Sequence, residues 1–342
     1  MALYALDDVD DAYAVTRAFL TSIDRTTWLK LALIVFFVGG AGANFPGTSF
    51  SGANGGEPGA PPAEEFPAFD PGPDFWLLVG AVVLVLVALA LALFFVAAVM
   101  EFVFVESLRT EDVSIREYWG RYWRKGLRLF GFRLVVGLLF LAPFLAVMAL
   151  FFAPVALGTG GFAAPVLALV VLLPVVFVLA IVVGLVDSFT TNFVVPIMLL
   201  EDRGVVDGWR RLWPTIKSQW KQYLAYAVAA WILSLVGGVL IAVVAGILVA
   251  VLFVPFGILL AVGIGLLSVL EPVGIAWLVV TGLLFALAAL VVALLVTVPV
   301  QTYLRYYALL VLGDVDADLD IIPEQRAAVR SDVESGGDGD AL

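Results

Sequence analysis

All eighteen Lys and Arg residues of this 342-residue chain fall in four short stretches, 17–30, 109–133, 203–221 and 305–330. Between them run three segments without a basic residue, 31–108, 134–202 and 222–304, dominated by Leu, Val, Ala and Phe. Basic residues stay on the cytoplasmic side of a bilayer, so each basic-free segment has to leave the cytoplasm and return. The pattern predicts an all-α integral membrane protein of the cell membrane. It would have six transmembrane helices as three repeated hairpins, with both termini in the cytoplasm.

Hydrophobic residues make up 63% of the chain and charged ones 14%, against about 25% charged in a soluble domain. Crossing ~30 Å of hydrocarbon takes about 20 apolar residues of helix, and each basic-free segment has room for two such spans. Barrel strands are short and alternating, whereas runs such as VVLVLVALALALFFVAAV (82–99) are unbroken. No cleavable leader is expected, because the chain opens on Asp7, Asp8, Asp10 and Asp11 rather than on a basic region.

The absence of Cys and His removes disulfides, His/Cys zinc sites, haem ligation and imidazole acid–base chemistry. No cofactor and no enzymatic activity are expected. GLVD (184–187) shares only part of the GxGD element of intramembrane aspartyl proteases, and no second deep aspartate completes a dyad. A net charge of −11, with Arg outnumbering Lys, suits a halophilic surface and argues against nucleic acid as a partner.

The pattern divides the chain as follows. Residues 1–27 form an amphipathic helix with Leu6, Val9, Tyr13, Thr16, Leu20 and Ile23 on one face and acids on the other. Residues 28–104 form the first hairpin, with a Gly/Pro-rich external loop at 44–74. A cytoplasmic interfacial helix follows at 105–126, a second hairpin at 127–200 turning at Gly158–Gly161, and a further interfacial helix at 201–222. The third hairpin takes 223–312, with the apolar piece 255–270, between Pro255 and Pro272, as an external-side half-helix. Residues 313–342 read as an acidic disordered tail.

A shift of ninety residues superposes two of the basic stretches. Glu111-Asp112 meets Glu201-Asp202, Trp119 meets Trp209, Arg121 meets Arg211 and Trp123 meets Trp213. Ser114 and Glu117 have capping-box spacing, answered by Gly204 and Asp207. Each unit therefore reads as interfacial helix, outward span, inward span. One apolar stripe would be Ile115, Tyr118, Tyr122 and Leu129. The other would be Val206, Trp209, Trp213, Ile216 and Trp220, broken at Pro214. Trp and Arg suit an anionic headgroup layer, making Trp119, Arg121, Trp123, Trp209, Arg211 and Trp213 candidate lipid contacts. The inward spans, each near 40 residues, would be ~55–60 Å long, about twice the hydrocarbon thickness. They are expected to run on into a cytoplasmic collar and end at Glu111-Asp112, Glu201-Asp202 and Gly313-Asp314.

Intramembrane polar residues are functional candidates. Asp187 opens the polar run 187–192, with Thr191 and Asn192 close behind it. It is either a proton or cation site or an interface residue on a span that overruns the bilayer. Glu101 lies ~39 Å along its helix from Phe75 and carries the same ambiguity. Arg133 is placed to pair with either acid, and Gln301 and Arg305 read as interface residues.

LDDVDDAYAVTRAFL (6–20), MEFVFVESLR (100–109), YWGRYWRKGLRLFGFRL (118–134) and FVVPIMLLEDRGVVDGWRRLWP (193–214) resemble a family of uncharacterised multi-pass membrane proteins from haloarchaea. The last block is also loosely similar to the membrane domain attached to some glycerophosphodiester phosphodiesterases, whose histidine-dependent catalytic domain has no counterpart here. The resemblance implies a membrane topology and no activity. Two functions fit the residues: a non-enzymatic scaffold organising the lipid bilayer or other membrane proteins, and a small-solute or ion transporter or channel using Asp187.

Overall fold

The computed structural model describes residues 4–41, 72–156 and 163–337. The expected external loop, up to residue 71, and the turn at Gly158–Gly161 lie outside the described residues. Every regular element among them is helical: α1 (Tyr4–Ser22), α2 (Arg25–Val35) with a π turn (Phe36–Ala41), α3 (Pro73–Thr110), α4 (Ile115–Ala156), α5 (Ala163–Phe189) with a π turn (Thr190–Val194), α6 (Val195–Leu200), α7 (Val205–Ser218), α8 (Trp220–Leu267), α9 (Glu271–Val315), a 3₁₀ turn (Ala317–Leu319) and α10 (Pro323–Gly337).

Local chemistry sets the boundaries. Asp24 caps α2 by accepting the Thr27 amide at 3.0 Å. Gly72 and Pro73 open α3, where Pro loses no hydrogen bond. α3 stops at Glu111 (φ 55°), and the α5–α6 run stops just before Asp202 (φ 53°). Both are left-handed residues without glycine's freedom.

Among the described residues five helices are long and apolar enough to cross a membrane: Asp74–Thr110, Ile115–Ala149, Leu172–Leu200, Trp220–Leu267 and Glu271–Val315. The segment 28–44, expected as a first span, does not join them. Its described part is α2 and its π turn, about 25 Å of helix lying along α9.

The long helices converge at one end. There Ala98–Val105 and Leu108 of α3, Phe193–Met198, and Tyr306–Leu312 of α9 are sealed among one another, with Phe19 of α1 edge-on to Tyr306 at 6.0 Å. Tyr226 of α8 stacks on Tyr307 at 5.4 Å. Toward the other end the apolar side chains of α3, α5, α8 and α9 lie exposed. This converging end, which also carries the basic residues, is called the basic end below.

Several sequence expectations are corrected. The interfacial helix at 105–126 is not a separate element: its first residues belong to α3, and the rest run unbroken into the apolar part of α4. Pro214 does not break α7, since an internal proline forfeits one backbone bond. The chain turns instead at Gln219, whose Nε2 donates to the Val315 carbonyl at 2.9 Å. The fully buried face of α7 is Val205, Gly208, Leu212 and Thr215; of the expected stripe Trp209 and Ile216 pack against the core, while Val206, Trp213 and Trp220 are exposed. At Gly208 a Cβ would come within 2.8 Å of Val194, so a glycine lets α7 close on the π turn. The inward face of α1 is wider than expected: Thr16 is buried and Val9, Leu20 and Ile23 pack against the core, but Asp8, Ala12, Val15 and Phe19 also face inward, while Tyr13 is exposed.

The piece 255–270 is no half-helix. α8 continues through Pro255 to Leu267 and pairs with the start of α9, with Gly263 against Trp277 and Leu278 and Gly274 against Leu267. Prolines are tolerated inside membrane helices where neighbours and local adjustments satisfy the freed carbonyls. The described part of the acidic tail carries a helix, α10. It is held by Arg326 and Arg330, which reach Asp314, Asp320, Asp8 and Asp11.

Candidate functional site

Three of the long helices that converge at the basic end carry one polar group each into an apolar contact, and a fourth reaches it from the side. Glu101 comes from α3, Arg133 from α4, Asp187 from the last turn of α5 and Arg305 from α9. Glu101 is the hub. One carboxylate oxygen accepts from Arg305 Nη2 at 2.6 Å and the other from Arg133 Nη2 at 3.4 Å. Arg133 Nε donates to Asp187 Oδ1 at 2.9 Å and its Nη2 to Thr191 Oγ1 at 2.5 Å. The guanidinium of Arg305 also lies over the Phe104 ring, 5.5 Å from its centroid. Two acids and two arginines make the cluster formally neutral.

The π turn at Thr190–Val194 explains how Thr191 takes part. Within it the Val195 amide reaches back five residues to the Thr190 carbonyl. In that register the next amide would serve Thr191, but residue 196 is proline and has no N–H. The orphaned Thr191 carbonyl accepts instead from Arg305 Nη1 at 2.6 Å. A backbone defect on one helix is thus matched to a cation on another. The Thr190 hydroxyl accepts from Trp209 Nε1 at 3.1 Å, which docks α7 on the same turn.

Burial grades the members. Glu101 and Arg305 are inaccessible, Arg133 nearly so, and the Asp187 side chain remains 46% exposed at the rim. Beside it opens an apolar cleft of about 220 Å³, lined by Phe132, Val186, Val206 and Trp209. Asn192 stays out of the cluster and points its amide at Ser188 Oγ, 3.4 Å away. Gln301 packs its side chain against Gly39. Arg305, expected at an interface, is in fact the second buried cation. The signal for it was arithmetic: two deep acids and one arginine leave a charge over, and Arg305 is the only basic residue between Lys221 and Arg326. Among the described residues no group of His, Cys, Asp or Glu is placed to hold a metal ion.

The six aromatic and basic candidates of the repeat fall into three matched pairs. Trp119 and Trp209 pack inward, Trp119 with Phe95 edge-on at 6.2 Å and Trp209 on Thr190. Arg121 and Arg211 form ion pairs, Arg121 with Glu106 near the end of α3 and with Glu117, Arg211 with Glu201 just after α6 and with Asp316. Trp123 and Trp213 are exposed, and each carries a cation over its ring, Arg124 at 5.4 Å and Lys217 at 5.3 Å. Trp220 does the same with Lys221 at 5.9 Å. Lys125, not singled out by its sequence, caps α6 by donating to the Met198 carbonyl at 2.9 Å, and pairs with Asp202 at 2.8 Å. That pair holds the Asp202 carboxyl below its ordinary range.

Long apolar helices tied by a buried, charge-balanced cluster define a helical membrane protein. The chain matches the model of a family of unknown function, DUF7544, over residues 3–322, and belongs to that family. No curated protein and no solved structure matches it.

Proposed function

We propose that the protein is a non-enzymatic multi-pass scaffold of the cell membrane. Its aromatic and basic surface, between the buried core and the apolar shafts, gathers anionic lipid headgroups. The observation that carries this reading is the trio of exposed tryptophans, Trp123, Trp213 and Trp220, each with a Lys or Arg over its ring. A ring with one apolar face and a cation beside it suits the layer where hydrocarbon meets phosphate. The polar cluster around Glu101 is occupied by its own partners and acts as the clasp that fixes the helices.

Six crossings remain the topology proposed, with both termini in the cytoplasm. α1 and Lys30 pack at the basic end, where Lys30 Nζ donates to the Val113 carbonyl at 3.2 Å. α3 starts at the opposite end. The chain contains no cysteine, so single cysteines at Ala60, Gly120, Arg210 and Ala327 report sidedness directly. In sealed cells only Ala60→Cys should react with an impermeant thiol reagent. Reaction at any of the other three refutes the topology.

For the lipid role, native protein and a Trp123→Ala/Trp213→Ala/Trp220→Ala variant are purified in mild detergent and their bound lipid is weighed by mass spectrometry. Anionic lipid should fall several-fold in the variant while neutral lipid is unchanged. Equal retention of anionic lipid overturns the proposal.

A second reading, transport of a small solute or ion, is favoured by the exposure of Asp187 beside an apolar cleft. Flux through liposomes carrying native protein or Asp187→Asn decides it. Equal, background-level flux in both ends that reading.

A further inference from the structure

The first and last described helices meet over charges that do not balance. Arg330 on α10 donates Nε to Asp11 at 2.9 Å, and Nη2 to Asp8 at 3.2 Å and to Asp314 at 2.7 Å. Arg326, one turn earlier, reaches Asp314 at 2.5 Å and Asp320 at 3.5 Å. Four carboxylates therefore share two guanidinium groups. Asp8 is fully buried, and its Oδ2 is enclosed with no hydrogen-bond donor facing it. The Asp314 carboxyl lies alongside. Two neighbouring carboxylates in a closed site cannot both stay ionised cheaply, and a proton held between them gives the orphaned oxygen its partner.

Apart from the two arginines, the described neighbours add no positive charge. Asp11, on the same helix, adds negative charge and is taken up by Arg330. α9 brings Tyr307 toward Asp8, and α8 brings Tyr226, stacked on Tyr307. Both are phenols, neutral at ordinary pH. Burial first, and then the Asp314 charge, push the Asp8 carboxyl up to about 8, against the opposing pull of Arg330 and Arg326.

We propose that Asp8 and Asp314 share one proton, and that this proton latches the C-terminal helix α10 onto α1 and α9 in acid and loosens its hold progressively as the medium passes through neutrality. On opening, the shared proton passes to water, Asp8 becomes a solvated carboxylate, and Arg330 loses its hold on α1. The closed form keeps a proton that the open form gives up, since a hydrated Asp8 returns toward its ordinary 3.8. The contribution of this proton to closure is therefore full below about pH 4, falls as pH rises toward about 8 and changes no further above that value, while in strong acid the ion pairs of Arg326 and Arg330 weaken as their carboxylates take up protons. One proton allows at most a roughly tenfold change in the closed-to-open ratio per pH unit.

The test uses the full chain. Spin labels on Ala18→Cys and Ser331→Cys, both exposed, report the separation of α1 and α10 by pulsed electron resonance from pH 5 to 9.5. The parent should show one close population in acid and a growing distant one as pH rises toward 8. In Asp8→Asn the amide donates permanently where the proton sat, so the close population should persist at pH 9.5. A parent distribution that does not change with pH overturns the latch without recourse to any variant at Asp8. So does an Asp8→Asn protein that opens along the parent's curve.

Discussion

Leu84 and Phe102 stand on one unbroken helix, α3, in stretches of nearly the same composition. Leu84 is 71% exposed and Phe102 is fully sealed. The outer stretch, about 75–93, projects apolar side chains on all sides, whereas 98–105 is enclosed among α2 and its π turn, α4, α6 and α9. Apolar character therefore does not say where the protein core lies. The outer stretch suits a hydrocarbon solvent that lipid tails provide. The inner stretch makes its own solvent out of neighbouring helices, and can for that reason admit Glu101, Glu106 and Ser107 among its buried residues. Polar groups on the outer stretch would face lipid without partners. On the inner one they clasp helices together.

The comparison breaks most sharply at the clasp. Glu101→Ala strands Arg305 without a counter-ion in a closed apolar site and leaves Arg133 to Asp187 and Thr191, and loss of one partner of a buried pair costs about 3–5 kcal/mol. Unfolding in detergent, followed by helical signal against denaturant, should show that loss. Phe102→Ala should lose about 3–5 kcal/mol by leaving a cavity, while Leu84→Ala should change stability by no more than about 0.5 kcal/mol. Comparable losses at both positions would mean that the outer stretch is covered by protein after all. Leu84→Arg asks which solvent covers it. An arginine near the middle of a crossing helix raises the insertion cost by about 2.5–3.5 kcal/mol. The variant should therefore integrate poorly into membranes, although the same change on a water-facing helix would be harmless.

What the sequence revealed and what it concealed follow the same division. The confinement of charge to four stretches exposes the long helices, and the isolation of Asp187, Glu101 and Arg133 in apolar runs marks three of the four clasp residues. Arg305 escaped because it lies near the end of a long span, where snorkelling to the interface is the ordinary fate of an arginine. Its burial depends on an orphaned carbonyl at Thr191, created by the π turn and Pro196 on another helix, and no local pattern on α9 records that. The width of the inward face of α1 escaped for a similar reason. An acid is assigned to solvent by periodicity, and Asp8 is turned inward by arginines more than three hundred residues away. Pro214 and Pro255 misled in the opposite direction. Each removes one backbone bond, which long-range packing outweighs, while the actual break at Gln219 has no strong local signal. The tail looked disordered because its acids outnumber its bases. The contacts that hold α10 pair just two arginines with carboxylates on α1, on α9 and in the turn after it.

Two glycines of α4 sharpen the contrast with the smallest perturbation available, one methyl group. A Cβ at Gly126 would lie 2.4 Å from Val99 Cγ2 and 2.8 Å from the Val99 Cα, the latter being backbone that cannot swing aside. At Gly137, further along the same helix, nothing lies within 4 Å. Gly126→Ala should therefore push α4 off α3 and destabilise by about 1–3 kcal/mol, the usual range for overpacking. Gly137→Ala meets no neighbour and restricts only the backbone of the unfolded chain. It should be neutral or gain about 0.5–1 kcal/mol from helix propensity. Identical chemistry on one helix thus has opposite expected signs, and the sign is set by whether protein or lipid lies beyond the glycine. Destabilisation at both positions would place a partner against the outer half of α4, such as a second copy of the chain, and lipid would no longer suffice as its surroundings.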